Sequence, residues 1–212
     1  MKFHLITDHP IAKDSLDHLY PDGTARDNSA NYIFNKKLFD LFPGETLSVL
    51  DLGCSGGGFV KTVLEGGHIS VGIEGSDYSL IHQRAEWANI PDNLFTCDIT
   101  RHFILHAGDG LPYQFDVITA WEVLEHIKEC DLVGLLLNVR FHLKCGGLFI
   151  GSTTDMSWKG DFDVEYHQTI KPIEWWIELF ERNGFVRQPQ TEVYFGGDWV
   201  RSVQHNFVFR KV

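Results

Sequence analysis

Long hydrophobic runs are missing from this chain of 212 residues. The longest apolar stretches, such as Leu132 to Leu137, are broken by Gly134 and fall far short of a bilayer span. The opening MKFHLITDHP lacks the long apolar region of an export signal. Positive charge is sparse too. The 18 Lys and Arg face 29 Asp and Glu, and the net charge of -11 argues against nucleic acid or another polyanion as partner. Cysteine is scarce and never occurs as C-x-x-C. Cys54, Cys97, Cys130 and Cys145 therefore read as reduced, mostly buried thiols of a cytoplasmic protein, not as disulfides or a zinc site. No internal repeat or low-complexity linker is present. The 43% apolar content is enough for one α/β domain with a full core.

The chain is organised around Leu47 to Val60, LSVLDLGCSGGGFV. Leu47, Val49, Leu50 and Leu52 make an apolar run of strand length, with Asp51 at its end. Gly53, Gly56, Gly57 and Gly58 form a turn; Phe59, Val60, Val63 and Leu64 follow at helical spacing. This is the strand, tight turn and helix that open a nucleotide-binding sheet. Gly53-x-Ser55-x-x-Gly58 meets the dinucleotide pattern only with serine in its middle. Asp51-Leu52-Gly53-Cys54-Ser55-Gly56-Gly57 instead resembles the first motif, D-x-G-x-G-x-G, of the class I S-adenosylmethionine-dependent methyltransferases. A buried carboxylate repels a pyrophosphate and attracts the amino group of a methionine moiety.

Two more acids end predicted strands. Glu74 closes His68 to Ile73 and lies at the distance from the glycine turn where an acid accepts from ribose hydroxyls. Gly75, Ser76 and Asp77 then open a helix running to about Ala88, with Asp77 as its cap. Leu94 to Cys97 ends at Asp98. The resemblance implies that Asp98 meets the adenine amino group and that the N–H of Ile99 meets a ring nitrogen. Phe115 to Ala120 is the fourth strand, Asp116 a structural acid in it, and Trp121 a candidate to pack on the cofactor's sulfonium. The cofactor set is Tyr32, Asp51, Gly53, Cys54, Ser55, Gly57, Phe59, Glu74, Gly75, Ser76, Asp98, Ile99, Ala120, Trp121 and Glu122. Tyr32, with Arg26, enters from a leading helix capped by Asn28 or Ser29.

Glu122, Glu125 and His126 share one face at helical spacing. This E-x-x-E-H resembles the ubiquinone-biosynthesis O-methyltransferases and the small-RNA 3′-end 2′-O-methyltransferases. The resemblance implies a divalent metal, Mg²⁺, Mn²⁺ or Zn²⁺, on Glu122, Glu125, His126 and a later histidine, His167. The metal-free alternative has His126 lining the acceptor pocket. A helix over Glu129 to Phe141 and a fifth strand over Leu148 to Gly151 come next. Ser152 to Lys171, with Trp158, Phe162, Tyr166 and His167, reads as the acceptor-binding segment. A helix begins at Pro172. Phe185 to Tyr194 and Gln204 to Arg210 read as closing strands; Trp199, Arg201 and His205 between and beside them are candidates to touch substrate, with ordinary hairpin packing the favoured reading.

The resemblance implies a Rossmann-like, doubly wound α/β sheet of seven strands, order 3-2-1-4-5-7-6, one antiparallel, with helices on both faces. The expected organisation is a single domain over 1–212. An N-terminal cap segment and helix cover 1–45, a cofactor-binding half 46–151, and a substrate-side segment with a closing hairpin 152–212. The expected reaction is methyl transfer from S-adenosylmethionine to a small-molecule acceptor, a sugar or phenolic hydroxyl, by in-line positioning. His126 or His167 is the base, since neutral imidazole is available near pH 7. No membrane partner is expected, and the chain is a monomer or homodimer. The rivals are an NAD(P)-dependent reductase or epimerase, an RNA 2′-O-methyltransferase, and a non-catalytic S-adenosylmethionine-binding protein.

Overall fold

The computed structural model describes residues 1–108, 110–201 and 205–212. Its strands are β1 (Phe3–Thr7), β2 (Ser48–Leu52), β3 (Ile69–Glu74), β4 (Leu94–Thr96), β5 (Phe103–Ala107), β6 (Phe115–Trp121), β7 (Leu143–Thr153), β8 (Phe185–Arg187) and β9 (His205–Lys211). Its α-helices are α1 (Leu16–Leu19), α2 (Asp22–Arg26), α3 (Tyr32–Asp40), α4 (Gly58–Glu65), α5 (Tyr78–Ile81), α6 (Leu132–His142), α7 (Ile173–Arg182) and α8 (Pro189–Phe195). Seven strands form the main sheet in the order β4-β3-β2-β6-β7-β9-β8. Numbered within the sheet this is 3-2-1-4-5-7-6, and β9 alone runs against its neighbours.

All five residues of β2 are buried, as a central strand covered on both faces requires. Leu135, Leu136 and Val139 of α6 and Trp176 and Phe180 of α7 pack one face. Phe34 and Leu38 of α3, Phe59 and Val63 of α4 and Phe195 of α8 pack the other. Asp116 accepts from the N–H and hydroxyl of Ser48 and from Lys144, tying β6 to β2 in a structural role.

Several elements differ from the sequence reading. The opening segment, expected only as a cap, contains β1, which pairs antiparallel with β5 in a second, two-stranded sheet. The cap of α3 is Asn31, whose side chain accepts from the N–H of Ile33 and Phe34. Asp77 makes no cap bond and pairs with His18 at 3.5 Å. The helix after it stops at Ile81, because Gln83 and Ala85 both take positive φ, 48° each. Phe185 to Tyr194 is not one strand: Pro189 has no N–H for a ladder and starts α8 instead. Gln204, the expected start of the last strand, lies outside the described residues. Cys130 and Cys145 are exposed, not buried; Cys145 sits in the 144–147 stretch of β7 that leaves the pairing with β6.

Candidate functional site

A cavity of about 1300 Å³ lies at the carboxyl edge of the main sheet. It exceeds the ~300–1,000 Å³ typical of a site for one small ligand, which leaves room for a cofactor and an acceptor together. Gly53, Ser55, Glu74, Gly75, Asp98, Ile99, Trp121, Glu122, His126 and His167 line it, as the sequence reading placed them.

Its floor begins with the turn after β2. Gly53 has φ of 73°, and a Cβ there would overlap the Val123 side chain, so only glycine fits. Four N–H groups of this turn bond within the protein. Those of Gly53 and Cys54 donate to the carbonyl of Ile73, that of Ser55 to Glu74 Oε2 at 2.8 Å, and that of Gly57 to Cys54. Ser55 stands at a positive φ of 45°, where the motif has glycine. Its hydroxyl accepts from Arg84 and lies 3.0 Å from the carbonyl of Asp27, which binds the turn to the segment above it. Glu74 also accepts from the N–H of Ser76, and burial raises its carboxyl above the usual range against these two donors.

Seven of the expected cofactor residues do not line the cavity. Tyr32 is 65% exposed and donates to Glu65 on the outer surface; Arg26 is likewise exposed and pairs with Asp22 and Asp161. These two are corrections: α3 turns its Phe34 face to the sheet and Tyr32 to solvent. Asp51 lies beneath the floor, accepting from the Thr119 hydroxyl at 2.7 Å. Burial pushes its carboxyl up to about 8. Cys54 is packed against Gly72, and burial pushes its thiol well up. Gly57 is the left-handed N-cap of α4, Phe59 and Ala120 are core, and buried Ser76 orients Glu74. Trp121 makes edge contacts with Phe34 and Phe59.

The E-x-x-E-H face is not a face of one α-helix. Only Leu124–His126 forms a short 3-10 turn, and Glu122 precedes it at φ 55° with its N–H on the Ser152 hydroxyl. That backbone conformation is strained for a side chain other than glycine or asparagine. Glu125, His126 and His167 each offer a ligand atom within 4.8 Å of the others; Glu122 is outside that group. Glu125 is fully buried, and no hydrogen bond of ordinary geometry reaches either of its oxygens. Burial, then the neighbouring Glu122, raises its carboxyl well above the usual range. One oxygen of Glu122 is also without a partner.

The two histidines differ in charge. Burial pulls His126 down, but Asp17, at 3.0 Å from Nδ1, outweighs it together with Glu125 and Glu122. The balance is about 9, so His126 is an imidazolium at pH 7. This corrects the expectation of a neutral base at that position. Burial lowers His167, which stays neutral. Its Nδ1 donates to the carbonyl of Met156 at 2.6 Å, leaving Nε2 as the acceptor.

The sequence reading missed the N-terminal wall, where His9, Ala12, Asp17, Thr24 and Asp27 line the cavity. It also set Arg201 aside; Arg201 lines the cavity and pairs with Asp27. Trp199 is core and His205 pairs with Asp155, as ordinary packing. In the acceptor segment Trp158 and His167 reach the cavity, while Tyr166 is buried and Phe162 is exposed. The cap-and-wall residues carry no periodic or motif signal.

Residues 25–195 match a family model described as a methyltransferase domain. The ubiquinone biosynthesis O-methyltransferase of Bartonella tribocorum is 29% identical over 131 residues, 59% of this chain and 49% of the relative. The chain thus spans about half the length of the first curated relatives it matches. A TehB-like SAM-dependent methyltransferase from Corynebacterium glutamicum shares the fold at TM-score 0.55 and 15% identity, over 85% of this chain and 88% of that one. The glycopeptide N-methyltransferase MtfA, solved with S-adenosyl-L-methionine, does so at TM-score 0.54 and 17% identity, over 87% and 94%. No described helix is long and apolar enough to cross a membrane.

Proposed function

The chain belongs to the methyltransferase domain family, and from that premise we propose that it carries the methyl group of S-adenosylmethionine to a small-molecule hydroxyl, on a sugar or a phenol. One observation carries the choice of cofactor. The main sheet closes with β9 running antiparallel between β7 and β8, in the order 3-2-1-4-5-7-6. A dinucleotide-binding sheet ends parallel, so this antiparallel closing pair supports the methyl donor over a pyrophosphate ligand.

In this reading Glu74 takes the ribose hydroxyls, and Asp98 with the Ile99 N–H takes the adenine. Trp121 offers an aromatic face toward the sulfonium. The acceptor lies in the cavity against the cluster of Trp158 and the two histidines, with its oxygen in line with the methyl–sulfur bond. The oxygen attacks the methyl carbon as the carbon–sulfur bond breaks, and S-adenosylhomocysteine leaves neutral at sulfur. His167 Nε2 takes the hydroxyl proton, and the His126 imidazolium stabilises the negative charge on the oxygen.

The cluster also fits a divalent cation, because the buried Glu125 carboxyl and His126, once both give up their protons, would stand with neutral His167 within ligating distance of one another. Glu125, His126 and His167 would hold the ion, and it would supply polarisation of the acceptor hydroxyl. Full activity after exhaustive chelation, with Glu125→Ala equally active, removes the ion from the reading.

Thermal shift tests the cofactor. S-adenosylhomocysteine should raise the melting temperature and NAD should not; stabilisation by NAD alone overturns the proposal. His167→Ala should lower kcat by on the order of 100-fold with cofactor affinity unchanged. An equal loss of affinity would take His167 out of the proton transfer.

A further inference from the structure

Residues 8–20 run as a strap across the carboxyl edge of the sheet, and they are tied down at separate points. The carbonyl of His9 accepts from Asp98 N–H at 2.9 Å, and Ala12 N–H donates to Gly75 at 2.8 Å. Ser15 caps α1, and His18 faces Asp77 at 3.5 Å. The helix has four residues and buries none of them. So short a helix does not persist by itself. It is held by its ties to the rest of the chain, among them the Tyr166 hydroxyl, which donates to the carbonyl of its C-cap Tyr20 at 2.8 Å.

Asp17 reaches furthest. Its Oδ2 lies 3.0 Å from Nδ1 of His126, 109 residues away in the chain. Both side chains are largely out of water, 23% exposed for Asp17 and 17% for His126. On its other flank the His126 ring meets His167 at 4.9 Å between centroids and Trp158 at 6.1 Å. With Nδ1 engaged, Nε2 is the only nitrogen His126 has left to offer.

We propose that Asp17 is the positioning residue of His126: by holding Nδ1 it fixes the ring and leaves Nε2 for the acceptor, so that seating of the strap and orientation of His126 are one event. The role of that Nε2 rests on the methyl-transfer reading; the coupling of strap to ring does not. An exposed ion pair is worth too little to order a segment, about 0–1 kcal/mol. The Asp17–His126 pair, largely out of water and hydrogen-bonded, joins α1 to the Leu124–His126 turn.

Three measurements test this on the full chain. Nitrogen-edited NMR of the ligand-free protein should show a hydrogen-bonded Nδ1–H on His126, absent in Asp17→Ala. Hydrogen exchange at residues 12–20 should quicken about 5-fold or more in Asp17→Ala and equally in His126→Ala, with β2 amides unchanged. Unchanged β2 protection shows that both variants fold. Turnover of Asp17→Asn should fall with cofactor affinity held within about threefold, and Asp17→Glu should recover part of it. Strap exchange at the wild-type rate in both variants overturns the proposal, as does a hydrogen-bonded Nδ1–H that survives in Asp17→Ala. Failure of the wild type to bind S-adenosylhomocysteine would instead sink the methyl-transfer reading, leaving the exchange and NMR results to decide the coupling alone.

Discussion

Asp51 lies out of water beneath the turn it was expected to serve from inside the cavity. Its state is set by burial first, against the Thr119 hydroxyl, with Asp27 and Glu74 pushing the same way as burial. At about 8 the carboxyl is mostly protonated at pH 7 in the ligand-free protein. A cationic ammonium brought above it lowers that value without touching it, since a charge in this medium acts over several ångströms. The sign follows: binding of S-adenosylmethionine near pH 7 should release a proton. Calorimetry in two buffers of different ionisation heat reads it directly. Wild type should release a measurable fraction of a proton, and Asp51→Asn should release less. Identical release by both would show that the ammonium does not act on Asp51. At this scale the sequence was informative where a signal is local. Glu74 and Asp98 stand at strand ends that a short apolar run reveals, and both line the cavity. The charge on His126 was not legible, because Asp17, in a segment without periodicity, sets it across the fold.

Elements were legible in proportion to their apolar periodicity. The unbroken run of β2 and the stripe of α7 came through, with Trp176 and Phe180 buried as their spacing requires. The Phe185 to Tyr194 stretch misled because a three-residue strand and a helix abut at Pro189, where Arg187 and Glu192 clamp the junction through two-pronged hydrogen bonds. What α8 contributes is Phe195, which stacks on Phe34 at 4.7 Å. Phe34 also meets Trp121 and Phe59, so one ring joins α3, α4, α8 and the end of β6. It is fully buried. Phe34→Ala should therefore cost about 3–5 kcal/mol of unfolding free energy in a urea titration. It should also loosen Trp121, the aromatic wall of the cavity, and weaken cofactor binding. A cost under about 1 kcal/mol would mean that the layer closes over the gap and that Phe34 is not its keystone.

Across the molecule the excess of acids leaves a net charge of -11, and the cavity repeats the bias. Asp17, Asp27, Glu74, Asp98 and Glu122 line it. Arg101 and Arg201, also in the lining, are each paired with an acid. Such a field disfavours phosphate-rich ligands and favours cations, and its long-range part is screened over about 10 Å at 0.1 M salt. S-adenosylmethionine carries one positive charge more than S-adenosylhomocysteine, at sulfur, and otherwise presents the same hydrogen-bonding groups. The difference between their salt dependences therefore isolates the field from the contacts. Raising salt from low concentration to about 0.5 M should weaken S-adenosylmethionine binding several-fold, and S-adenosylhomocysteine binding less. Parallel loss for both would show that the acids act only through direct hydrogen bonds. Tighter binding of the methyl donor at high salt would mean that the field at sulfur has the opposite sign, and that the imidazolium of His126 outweighs the acids around it.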